Sequence, residues 1–312
     1  MDINASMPKM SSEPENELDV SSIEGINKMT LRKRLKLYKN KPGSLILLIL
    51  VLIATLITVS ALVFIIGYIL INGIPHLTWD FFSWEYNSDN VSCIPALLNT
   101  LLLTVIALII AVPLGIFSAI YLVEYAKKGN KLVKVIRMTA ETLSGVPSIV
   151  YGLFGMLCFR EMLGWGYSII AGAFTVAIMI LPVIMRTTEE ALLTVPDSFR
   201  EGSFGLGAGK LRTIFRIVLP SAVPGILSGV ILAIGRIVGE TAALLYTSGS
   251  SATLANGITE PGRTLALHMY VLSSEGLHTD QAYATAVVLL VLVLGINTLS
   301  AVIAKKIANK NK

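Results

Sequence analysis

The sequence has 312 residues, 54% of them hydrophobic and 14% charged, with a formal net charge of +5. A soluble domain of this length carries about a quarter charged residues, so the composition excludes a water-soluble enzyme, and the connections between apolar runs are too small for a catalytic domain. The surplus of Lys and Arg does not point to nucleic acid, because most of it flanks apolar runs, where it sets membrane orientation.

Residues 1–27 are polar, with scattered acids and no apolar core of a cleavable signal peptide, and they open an N-terminal segment, residues 1–44. That segment is expected to form a cytoplasmic tail, mostly disordered. It ends in the basic cluster Arg32, Lys33, Arg34, Lys36, Lys39 and Lys41. Residues 45–72 hold the first transmembrane helix, uncharged and long enough to cross a hydrocarbon core about 30 Å thick. A second span is predicted over 94–123, with Pro113 and Gly115 as a kink, and a third over 139–159, with Glu141 near its start. The fourth covers 167–185, the fifth 222–247 with Arg236 and Glu240 inside it, and the sixth 282–303. Basic residues crowd the segment before the first span, the second and fourth connections and the C-terminal tail. The first connection has none, the third only Arg160 and the fifth only Arg263. That alternation predicts an all-α, multi-pass protein of the cell (inner) membrane, with six transmembrane helices and both termini cytoplasmic. No strong internal repeat is visible, which counts against secondary transporters built from two similar halves. Cys93 and Cys158 sit in no metal-ligand spacing. Both are expected as free thiols toward the external side.

Two connections exceed what a hairpin needs. Residues 248–281 form an external segment rich in Gly, Ser and Thr. Residues 186–221 form a cytoplasmic loop of helical composition. In it, Pro196-Asp197-Ser198 can open a short helix with Asp or Ser as N-cap. Gly205, Gly207 and Gly209 break that helix into a turn, and Lys210 to Val218 form a second, amphipathic helix. Such a helix-turn-helix suits a lever gripped by a partner; an interfacial helix on anionic headgroups is the alternative. The Gly209-Lys210 pair is no P-loop, since Phe204 and Leu211 stand where Gly and Ser or Thr are needed.

Glu201, Gly207, Ile217, Leu219 and Pro220 fall at the spacing of the EAA loop of ABC-transporter permeases, which this stretch resembles; Gly202-Ser203 replaces the usual two alanines. The resemblance implies a type I ABC importer permease (MetI-like) core over 94–305. It also implies that the five residues couple the chain to ATP-binding subunits.

A charge at the centre of a membrane helix costs about 2.5–3.5 kcal/mol on insertion scales. Arg236 and Glu240 are one helical turn apart, so their side chains can meet. A self-neutralising pair is the plain reading; a place in a substrate path is the functional one. Gly225/Gly229 and Gly235/Gly239 give this span G-x-x-x-G spacing for close helix packing. The run from Gly235 through Arg236 and Glu240 to Gly249 resembles permeases of the phosphate-specific ABC importer, the PstA more than the PstC family. So do the runs 144–155 and 181–192. An Arg guanidinium meets phosphate oxygens through a planar fork. Arg236 is therefore the expected counter-charge on the path, Glu240 its holder, and Arg186 either an exit contact or an orientation anchor. Glu141 is read as the ion-pair partner of Arg137. The resemblance implies a PstC-like second permease, two ATP-binding subunits that hold ATP and Mg, and an external phosphate-binding protein, with no cofactor in this chain. A permease for sulfate or molybdate, or a secondary anion transporter, is the alternative.

Overall fold

The computed structural model describes residues 42–127 and 129–310, so residues 1–41 of the predicted tail, with its basic cluster, lie outside the described residues. Every regular element among the described residues is helical. By internal contacts the chain falls into two units, Met1–Ile65 and Ile66–Lys312.

The described part of the first unit belongs to helix α1, Pro42–Gly73, which starts three residues earlier than the span expected from 45. Over residues 49–66 its side chains are exposed on every side and mostly apolar, Leu56 and Val63 among them. Thr55 and Thr58 return their hydroxyls to the carbonyls of Val51 and Ala54 at 2.8 and 2.9 Å, which hides the polar groups from hydrocarbon. A helix apolar all round belongs in lipid or in a large core.

In the second unit, α2 (Ile94–Ile120) continues through a π-helical turn, Tyr121–Tyr125, and absorbs Pro113 without ending. The expected third span is instead two helices, α3 (Lys131–Ser144) and α4 (Ser148–Gly155, extended by Met156–Met162), bent by 101°. Pro147 supplies the break: it lacks an N–H and drives Val146 out of the helical region. Helix α5 (Ile169–Leu193) starts two residues later than expected and runs about two turns past the expected end at 185. Then come α6 (Asp197–Gly205), α7 (Lys210–Thr213, passing through a π-turn at Ile214–Val218) and α8 (Leu219–Val238). The predicted fifth span ends early, at Gly239; α9 (Ala242–Thr247) is separate. The segment read as a Gly/Ser/Thr-rich connection contains α10 (Leu265–Glu275), and α11 (Thr279–Lys310) closes the chain. Five described helices are long and apolar enough to cross a membrane, and the bent α3–α4 pair makes a sixth if it counts as one span.

Helix α5 is the hub. Its Ala173, Val176, Ile180 and Ile184 are buried against Leu103, Ala107 and Ala111 of α2 and Ala233 and Ile237 of α8. Small residues permit that approach: a Cβ on Gly225 or Gly229 of α8 would lie 2.6 Å from the Ala191 Cβ or 2.7 Å from the Thr187 Cβ. The expected packing holds for this glycine pair and not for Gly235/Gly239, which meets no neighbouring helix among the described residues. At one end of α5, Ala119, Ile120, Val133, Leu192, Ile214 and Val218 gather the basic connections around a second core. At the other end, Phe81, Cys93, Ala96, Leu265 and Ala284 form a third. There Asn99 of α2 pins the 253–263 segment, donating to the Thr253 carbonyl at 3.2 Å and accepting from the Ala255 N–H at 3.1 Å.

Candidate functional site

At the basic end, α6 follows Pro196, and no side chain caps it. Asp197, expected as a cap, instead accepts from Arg200 at 3.1 Å. The helix closes on Gly207, whose φ of +81° suits glycine and strains other residues. The Gly207 N–H bonds to the Phe204 carbonyl at 2.9 Å. The hydroxyls of Ser203 and Thr213, 2.8 Å apart and buried, join the two arms of the turn. Ile214 and Val218 are buried beneath, so the turn stands on a fixed base. Its outer face is apolar and open: Leu206 is 91% exposed, and Phe199, Phe204, Leu211 and Phe215 are exposed beside it. Glu201 is exposed, with no hydrogen bond or ion pair among the described residues. Gly207 and Ile217 line a cavity of about 330 Å³ together with Arg212 and Arg216. Leu219 and Pro220, half-buried, carry the chain from the π-turn into α8 without a break.

Arg200, a basic flank by sequence, folds inward. Its guanidinium donates to Glu124 Oε1 at 2.8 and 3.1 Å and to the Leu192 and Val195 carbonyls at 3.1 and 2.8 Å.

Arg236 lies two residues before the end of α8, half-buried, and makes no hydrogen bond or ion pair among the described residues. Its charge is within electrostatic reach of Tyr151 on α4, whose hydroxyl donates to the Leu143 carbonyl at 2.8 Å. The expected pair with Glu240 is not formed. The helix stops at Gly239, which takes Glu240 out of the i,i+4 register, and its buried Oε1 accepts the Ala243 N–H at 3.0 Å. A carboxylate in that position is stabilised by the first-turn N–H groups of α9. A cavity of about 620 Å³ opens next to it, with Thr241, Tyr246, Tyr270 and Tyr283 among apolar lining residues.

Arg186, near the basic end of α5, is held by Glu190 at 3.2 Å and by Glu141 of α3 at 3.9 Å. Arg137 pairs with Glu189 at 2.5 Å rather than with Glu141 as expected. These five charged residues surround a cavity of about 280 Å³, set apart from Arg236.

At the opposite end lies a group that sequence reading missed. Arg263 is 4% exposed and stacks over Tyr86 at 4.8 Å. His268, fully buried, meets the same ring edge-on at 6.1 Å. Neither has a carboxylate partner among the described residues. The only signal in the sequence was Arg263 as the single Lys or Arg of the 248–281 segment.

Residues 111–311 match the family model described as "Binding-protein-dependent transport system inner membrane component". The chain belongs to this family. The phosphate transport system permease protein PstA of Haemophilus influenzae is 31% identical over 277 residues, covering 86% of this chain and 96% of its own. The probable ABC transporter permease protein YqgI of Bacillus subtilis is 36% identical over 244 residues, covering 72% of this chain and 81% of its own. These relatives place the permease in the PstA family. Among solved structures, that of a bacterial alginate ABC transporter in complex with its pentasaccharide-bound periplasmic protein is similar, with a TM-score of 0.61. It is 20% identical and covers 86% of this chain and 99% of its own, a likeness of fold. The all-helical, MetI-like importer-permease architecture expected from the loop is thus the one adopted.

Proposed function

We propose that this permease forms half of the translocation path of an ATP-driven inorganic phosphate importer. A PstC-like permease supplies the other half, two ATP-binding subunits hold ATP and Mg, and an external binding protein delivers phosphate. The 200–220 loop faces the cytoplasm, as do both termini, and its apolar tip with Glu201 docks on an ATP-binding subunit. Hydrolysis takes place in those partners.

The observation that carries the phosphate reading is Arg236: a guanidinium in an apolar span, unpaired among the described residues, while the nearby carboxylate is engaged elsewhere. A fixed cation in that setting attracts an anion, and its fork fits phosphate oxygens. Arg186, neutralised by Glu190 and Glu141 in this state, serves as the exit contact once α3 moves away. Uptake of radiolabelled phosphate in cells lacking other phosphate carriers tests the assignment. Arg236→Gln is expected to lower uptake about tenfold or more, and Arg236→Lys to retain part of it as a point charge. Glu240→Gln keeps an acceptor for the Ala243 N–H and is expected to transport nearly normally. Arg236→Gln combined with Glu240→Gln is expected to assemble and fail. Normal uptake by that double variant would defeat the reading, and loss of sulfate rather than phosphate uptake would reassign the substrate.

A further inference from the structure

A lever on the cytoplasmic face does work only if its motion reaches the spans. The covalent route is plain, since α7 runs through the π-turn into α8 without a break. A second route is built from side chains. Arg200, on α6, reaches across to Glu124 in the π-turn that ends α2, with Nε and Nη2 both on the same carboxylate oxygen at 3.1 and 2.8 Å. Both side chains are largely withdrawn from solvent, 14% exposed for Arg200 and 8% for Glu124. The same guanidinium takes the Leu192 carbonyl in the last turn of α5 and the Val195 carbonyl just beyond it. These are carbonyls that a helix C-terminus leaves without intrahelical partners. The next residue of that π-turn, Tyr125, receives Lys210 over its ring at 4.8 Å. Thus the end of α2 is held by both arms of the loop, one through a buried ion pair and one through a cation–π contact.

We infer that Arg200 and Glu124 are positioning residues that transmit movement of the docking loop to the second span and to the end of the fourth. This rests on the reading of the loop as the ATPase-docking lever. A surface ion pair would transmit little, because it is solvated and loosely held. This one is different: Arg200 keeps Asp197 if the contact breaks, but the Glu124 carboxylate is left without a partner in a buried place, so α2 must follow α6 or strand that charge. The π-turn at Tyr121–Tyr125 gives the end of α2 a local register that can shift without unwinding the span.

The whole transporter, purified with its partner subunits and reconstituted in liposomes, tests this with Glu124→Gln and Glu124→Leu. Both variants are expected to co-purify with ATP-binding subunits in normal ratio and to hydrolyse ATP. Phosphate moved per ATP is expected to fall about fivefold or more, with Glu124→Gln the milder because it still accepts a hydrogen bond. Spin labels at the end of α2 and on α5 should report an ATP-dependent change of separation in the native transporter that shrinks in Glu124→Leu. An unchanged yield per ATP, or a loss of uptake that only mirrors lost assembly, overturns the inference. Leu206→Glu, on the exposed tip, reads the underlying assignment separately. ATP-binding subunits that still co-purify with that variant defeat the docking role, whatever Glu124 does.

Discussion

His268 and Arg263 put two basic groups together beneath one tyrosine ring, and the imidazole yields. Burial first, and the Arg263 charge second, lower its pKa to about 3, against the opposing pull of the Val91 carbonyl. The free imidazole titrates near 6.5, so between those values the unfolded segment binds a proton that the folded one refuses. Stability therefore falls as pH drops below about 6.5, by about 2 kcal/mol at pH 5. Hydrogen exchange across α10, corrected for intrinsic rates, should show weaker protection at pH 5 than at pH 7.5, and His268→Phe should flatten that dependence. Equal protection at both pH values would mean that the imidazole is solvated. This cluster was not legible in the sequence, where a lone His and a lone Arg five residues apart resemble any surface pair. Glu240 misled for a related reason. Its spacing from Arg236 is that of a helical ion pair, and only the early stop at Gly239 turns it into the cap of another helix.

At the scale of elements, the turn between α6 and α7 depends on one backbone angle. A side chain at φ +81° is strained by about 1–2 kcal/mol, yet the turn is exposed and its base is buried elsewhere. Gly207→Trp should therefore insert and express normally while ATP-driven uptake falls, and Gly207→Ala should do so more mildly. Full uptake by Gly207→Trp at normal expression would remove Gly207 from the coupling surface. The long apolar helices and this loop were readable because hydropathy and a fixed motif spacing announce them. The bend at Pro147 was not, since apolar residues on both sides of Val146-Pro147 let the run pass for one span. Helix α10 was lost in the same way, as its few apolar turns are too short to stand out from the Gly- and Ser-rich chain around them. Arg200 was counted as one more basic flank, because its partner Glu124 lies far off in sequence.

For the whole molecule, the arrangement of its two ends makes orientation measurable. The core around Ile214 and Val218 gathers the basic connections, and the core around Phe81 and Cys93 lies at the other end of α5. Native Cys93 is buried, and burial pushes its thiol up to about 12, so it stays silent to maleimide. In a Cys158→Ser background, Ser88→Cys should react with a membrane-impermeant maleimide on intact cells, and Arg212→Cys only after permeabilisation. The reverse pattern would invert the topology. The cap on α9 bears on energetics as well. Glu240 is engaged at a helix end, which leaves Arg236 without a carboxylate partner among the described residues. An inside-negative potential resists each incoming negative charge by about 2.3 kcal/mol per 100 mV. A dianion therefore does electrical work of about twice that on the way in. On the proposed path the fixed cation would divide this climb into two shorter ones by providing a resting place between them. It would not reduce the total, which in the proposed importer falls to ATP hydrolysis in the partner subunits.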